Sequence, residues 1–178
     1  MFNGNSKDSL VIYFAPENNQ CLWVLGPDDQ ANPLLPDITR QALPVSDLAR
    51  IKIDSPLSRP IPKQIFGQDP GQPWCYYFEK ADLARQNKDW DTVVALWKEA
   101  AGKGLTPGNG VEYLPFIEGF ANTGDWKTAQ ELTFQSEKST HELANRLCVT
   151  WNSIETETSP SQGRDDALKQ IRGKLACP

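Results

Sequence analysis

The tetrad Asp-Trp-x-Thr occurs twice, at residues 89–92 and 125–128, and Leu96 is matched by Leu132 at the same offset of 36 positions. A self-similarity of that period marks stacked helical hairpins, in which each unit buries its apolar face against a neighbour. The apolar spacing around both tetrads agrees. Trp90, Val93, Val94, Trp97, Ala100 and Ala101 share one face of a helix, and Trp74, Tyr77, Phe78, Ala81 and Ala84 share another just upstream. These two helices meet around Asn87, Lys88 and Asp89, a connection short enough to make them antiparallel. The Asp89 carboxylate is placed to accept from free amides in the first turn of the second helix. Tyr113, Phe116, Ile117 and Phe120 form a third stripe, with Pro115 tolerable only in the first turn of its helix. Trp126, Ala129, Leu132 and Ser136 form a fourth. Ser139 and Glu142 have the spacing of a capping box, which predicts a fifth helix carrying Leu143, Leu147, Trp151 and Ile154. A last helix gathers Ala167, Leu168, Ile171 and Leu175.

Ahead of these helices the chain changes character. Ten of the fourteen prolines fall at or before Pro73, which sets a boundary between residues 1–73 and 74–178. In the first part, Leu10 to Phe14 and Cys21 to Leu25 are short β-branched and aromatic runs separated by a loop from Pro16 to Gln20, and they read as a hairpin. A short helix is expected from Asp37 to Ala42, stopped by Pro44. Arg50 to Ile53 alternates like a third, half-exposed strand. The prolines between Ser55 and Pro73 favour an extended connector over the surface. The expected fold class is therefore α+β: a small strand-containing module of residues 1–73, then antiparallel helical hairpins over 74–178.

Charge and residue counts remove several classes of function. Lysine and arginine total 18 against 23 acidic residues, and a net charge of −5 argues against nucleic acid as a partner. The longest apolar run, Leu10 to Ala15, is far short of the roughly 20 residues that cross a bilayer, so this chain inserts into no membrane by itself. With His141 the single histidine, and no C-x-x-C spacing, metal sites and hydrolase relays lack their parts. No nucleophile elbow, P-loop or dinucleotide fingerprint is present. Asp89, Asp91, Glu99, Glu112 and Glu118 offer carboxylates, which helix caps and solvated faces explain without catalysis. The reading is a chain without enzymatic activity, cofactor or metal. Four cysteines fit two disulfides, with three connectivities, or four buried thiols, and composition alone leans to thiols.

The inter-helix sequence Gly124-Asp125-Trp126, with a small residue at Ala81 and Ala129, resembles the tetratricopeptide repeat. Lys88 departs from that pattern, standing where glycine is usual, and the loop from Gly102 to Gly110 lengthens the repeat to 36 residues from the customary ~34. The resemblance covers residues 74 to 138; the helices after Ser139 look like a degenerate third hairpin or cap. It implies a groove, lined by the first helix of each hairpin, that holds an extended peptide or protein segment. Asp82, Arg85 and Gln86 in the first hairpin, and Glu118 and Asn122 in the second, would face that groove.

The aromatic stretch from Trp74 to Arg85, followed by Asp89-Trp90, Pro115-Phe116-Ile117-Glu118 and Leu147-Cys148-x-x-Trp151, resembles the C-terminal tails of uncharacterised multi-pass bacterial membrane proteins similar to lipid-linked-sugar glycosyltransferases. That resemblance implies a tail outside the cytoplasm, an oxidising location that reverses the lean to thiols and puts Cys21 with Cys75, and Cys148 with Cys177, first among the pairings. The alternative location is the cytoplasm. A glycosyltransferase parent also raises a glycan as a ligand. Trp90, Trp97 and Trp151 lie on helical core stripes, which leaves Trp23 and Trp74 as the candidates for an exposed sugar-stacking platform. The function expected is a non-catalytic accessory or interaction domain of a membrane protein, with a carbohydrate-recognition module as the alternative.

Overall fold

The computed structural model describes residues 9–16, 20–51, 63–67 and 71–177. Strands β1 (Val11–Tyr13) and β2 (Trp23–Leu25) pair antiparallel in the register Val11↔Leu25, Ile12↔Val24 and Tyr13↔Trp23. Both are shorter than the apolar runs that announce them. Ser46 ties the hairpin down, its Oγ donating to the Leu25 carbonyl at 2.6 Å and accepting from the Val11 amide at 3.0 Å. Helix α1 (Asp37–Ala42) lies where expected, and Pro44 sits in the 3₁₀ turn Leu43–Val45 that ends it.

Two expectations for the first part are corrected. Arg50 is not the start of a strand: Asp47 accepts from the Ala49 amide at 3.1 Å and curls Leu48–Arg50 into a 3₁₀ turn. Positions 52 and 53 lie outside the described residues. The connector before Pro73 is not wholly extended, because Lys63–Phe66 forms a short helix, α2; 55–62 and 68–70 lie outside the described residues.

From Trp74 onward the chain is helical: α3 (Trp74–Gln86), α4 (Trp90–Gly102), α5 (Leu114–Asn122, after a 3₁₀ turn Gly110–Tyr113), α6 (Trp126–Ser139), α7 (Ala144–Glu157) and α8 (Gln162–Leu175). Helix α3 packs along α4, α5 along α6 and α7 along α8, while α5 also touches α3 and α7. The repeated tetrad makes the same N-cap twice. Asp89 Oδ1 accepts from the Thr92 amide at 3.2 Å, and Asp125 Oδ1 from the Thr128 amide at 3.1 Å. The preceding turns match as well, each with a left-handed residue at the same place, Gly124 at φ 83° and Lys88 at φ 57°. Glycine takes that conformation without steric cost and lysine does not.

The expected capping box is absent. Helix α6 continues through Ser139, whose hydroxyl donates to the Ser136 carbonyl at 3.0 Å, and α7 opens at Ala144. Leu143, Leu147, Trp151 and Ile154 are nonetheless buried together, as their spacing requires. Close helix packing is set by Gly119, where a Cβ would stand 2.5 Å from Val93 Cγ1. Cys148 pairs with Cys177 and so fastens the end of α8 to α7.

The buried side chains form one continuous cluster that crosses the residue 73 boundary, from Trp23, Leu25, Leu35 and Leu43 to the helices. Four ties hold residues 21–29 on the helices. Cys21 is disulfide-bonded to Cys75 on α3, and the Leu22 amide donates to Glu79 Oε1 at 3.2 Å. Arg146 Nη2 on α7 donates to Asp29 at 3.3 Å. The fourth tie is Glu112, wholly buried and accepting four hydrogen bonds. Its Oε1 takes the Cys21 amide and Asn109 Nδ2, each at 3.1 Å, and its Oε2 takes Trp74 Nε1 at 2.7 Å and the Gly108 amide at 2.8 Å. Bonds to a charged acceptor contribute more than neutral ones, and a buried donor left without its partner is costly. Glu112→Gln sets an amide NH₂ against two of those donors. We expect a loss of about 3 kcal/mol, read as a lower urea midpoint at unchanged slope.

Candidate functional site

An open cleft of about 480 Å³ lies between the N-terminal module and one face of the helices. Helix α3 and the turn after it contribute Leu83, Arg85, Gln86, Asn87 and Lys88. Trp90 comes from α4, Glu118 from α5, and Arg146, Thr150, Ser153 and Glu157 from α7; the module closes the far side with Asp28, Leu48, Ala49 and Ile51. Helices α3, α5 and α7 are the first members of the successive helix pairs, so the cleft sits on the face where a binding groove was expected.

Of the five groove residues named from sequence, four come together. Arg85 Nε donates to Asp82 Oδ1 at 2.8 Å, Gln86 Nε2 to Asp82 Oδ2 at 3.2 Å, and Arg85 Nη1 stands 3.6 Å from Glu118 Oε2. Asp82 itself is buried behind Arg85. Asn122 is turned away, its Nδ2 donating to the Glu118 backbone carbonyl at 2.9 Å on its own helix. Sequence reasoning missed the α7 wall. Arg146 is 4% exposed, with Nη1 donating to Thr150 Oγ1 at 2.8 Å. A charged residue beside the buried Leu147 and a threonine one turn later was the available signal. Lys88 and Glu157 pair across the rim at 3.1 Å.

Module residues also occupy this face. Val24, Leu25 and Asp29 line a cavity of about 30 Å³ together with Phe78, Asp82 and Arg85 of α3, Leu114 and Pro115 of α5, and Arg146. The strand β2 and the turn after it thus fill one end of the inner helix face, and the larger cleft is what they leave open.

The proposed sugar platform is corrected. Trp23 is 2% exposed beneath Tyr13, and Trp74 lies against Trp97 and Phe116 with its Nε1 spent on Glu112. Both indoles belong to the core. Trp151 is buried too, its Nε1 donating to Thr133 Oγ1 at 3.0 Å. Trp90 is half-buried and faces the cleft. Among the carboxylates read as caps or solvated groups, Asp89 is a cap and Asp91 and Glu99 are exposed, but Glu112 is buried and Glu118 faces the cleft. His141 is exposed. No described helix is long and apolar enough to cross a membrane.

Electrostatics in the cleft are uneven. Burial alone would lower the affinity of Arg85 for its proton, yet Asp82 and Glu118 beside it hold the guanidinium above its ordinary value. Burial pushes the Glu118 carboxyl above the usual carboxylate range, and Asp82 and Glu157 push the same way against the pull of Arg85 and Arg146. No family model, curated protein or solved structure matches this chain.

A carboxyl whose folded value is raised binds its proton more tightly in the folded chain than in the unfolded one, so it subtracts stability as pH rises from about 4 through the raised value. Glu118→Gln removes that loss. We expect wild type and variant to be close in stability at low pH, and the variant to gain on wild type as pH rises to neutrality, measured by urea unfolding across that range.

Proposed function

We propose that this chain is a non-catalytic interaction domain, the extracytoplasmic accessory part of a membrane protein, whose helix pairs are hairpins of the tetratricopeptide kind and whose cleft over Arg85 and Glu118 holds a segment of a partner protein. The observation that carries this reading is the position of the cleft: it opens on the first helix of each pair, between walls of mixed polar and apolar side chains. The two disulfides fit an oxidising compartment. Three of its cations, Arg85, Lys88 and Arg146, are held in place by ion pairs with Asp82, Glu157 and Asp29. A carbohydrate-recognition module is the second reading, favoured by the half-buried Trp90 on the cleft wall.

Panning a random peptide library on the oxidised chain tests the proposal, with Ser153→Trp as a variant that fills the cleft from α7 and Lys169→Trp on exposed α8 as control. Selected peptides should lose at least about tenfold in affinity on Ser153→Trp and none on Lys169→Trp. Peptides indifferent to Ser153→Trp, or no peptides, would remove the reading. Soluble glycans displaced by Ser153→Trp would move the second reading ahead.

A further inference from the structure

Each cation of the cleft has a carboxylate partner, although the buried Arg146 Nε has no hydrogen-bond partner among the described residues. Arg85 Nη2 lies 2.8 Å from Asp82 Oδ1, Arg146 Nη2 3.3 Å from Asp29 Oδ1, and Lys88 Nζ 3.1 Å from Glu157 Oε1. Three bases are thus matched by three acids, and two further carboxylates line the cleft. Asp28 pairs with no cation among the described residues. The Glu118 carboxylate accepts no hydrogen bond among them, and its nearest cation is the shared Arg85 at 3.6 Å. Counted with Asp82 and Asp29, which answer the two arginines from behind the cleft wall rather than on it, the site holds five carboxylates against three cations, and Glu118 stands in a concave, partly desolvated place where a charge acts more strongly than on an open surface.

The apolar lining is arranged to complement a charge on a long stem. Leu83 on α3 and Leu48, Ala49 and Ile51 on the module offer aliphatic surface, and Trp90 lines the cleft as well. Lysine and arginine lay their methylene stems along apolar surface and place their heads against carboxylates or aromatic faces. A carboxylate-bearing segment would instead meet Asp28 and Glu118 with like charge.

We propose that the cleft receives a basic side chain from an extended segment of a partner protein, with its charge against Glu118 and Asp28 and its stem along Leu48, Ile51, Leu83 and Trp90. This rests on the interaction-domain reading and adds the chemistry of the partner. Occupation is salt-dependent, because the attraction is between charges near solvent.

The test is a titration of the full oxidised chain, followed by backbone amide shifts, with three blocked glycine-flanked pentapeptides that differ in their central residue: lysine, norleucine and glutamate. Norleucine keeps the stem without the charge. The lysine peptide should move the amides of Gln86, Asn87 and Ser153 and bind at least about tenfold more tightly than the other two. That preference should shrink in Glu118→Gln and in Asp28→Asn, the second being an exposed position whose change leaves the fold intact. Equal binding of the norleucine or glutamate peptide, shifts confined to other surfaces, or no shifts at millimolar peptide would overturn the proposal. If library panning meanwhile yields cleft-dependent peptides without basic residues, the interaction reading stands and this inference alone fails.

Discussion

The buried carboxylate of Glu112 is the constraint on which the rest of the molecule depends. It draws donors from three places far apart in sequence: the amide of Cys21 in the module, the indole of Trp74 at the start of α3, and the loop of Gly108 and Asn109 that leads into α5. A charge taken out of water survives only where its lone pairs are satisfied, so the four donors have to arrive together. Their arrival fixes the module against the helices. The disulfide from Cys21 to Cys75 lies beside the same junction and closes a loop of 54 residues, which lowers the entropy of the unfolded chain by the equivalent of about 4 kcal/mol in the loop-closure account.

The cleft exists because of that junction. Helices α3, α5 and α7 turn toward the module a face that is apolar at one end, around Phe78 and Leu114, and charged at the other, around Arg85 and Glu118. The module covers the apolar end with Val24 and Leu25, and Asp29 reaches Arg146 where the two ends meet. Burying ion pairs contributes little net stability, since desolvation offsets most of the attraction. A polar inner face is thus a poor choice for a purely structural core. It is in keeping with the proposed role as a surface open to a charged partner.

Much of the helical part was legible in the sequence, and the reasons are physical. The 3.6-residue apolar period marked the buried faces of α3 to α8, apart from Ala101, which is exposed, and Asp89 and Asp125 announced their caps because an acceptor before an apolar stripe has free amides to satisfy. The left-handed turn at Lys88 was visible only as a departure from glycine at the position where Gly124 stands in the second repeat. What failed depended on long-range contacts. Ser139 and Glu142 have the spacing of a cap, but packing lets α6 run through that site. Trp23 and Trp74 read as exposed because nothing local reveals the partners that bury them, such as Trp97 and Phe116 around Trp74, and Glu112 read as solvated because its donors lie up to 91 residues away. Arg146 escaped notice because its partner, Asp29, lies across the chain at a separation of 117 residues.

The central claim is that the module and the helices open as one unit, held by Glu112 and its donors. Native-state hydrogen exchange of the oxidised chain, resolved by residue, measures this most directly. The account predicts that the Cys21 amide exchanges with the same opening free energy and denaturant dependence as the amides of Ile117 in α5 and Leu147 in α7. Release of the Cys21 amide at a markedly lower opening free energy, with α5 and α7 still protected, would show a module that detaches by itself and would contradict it.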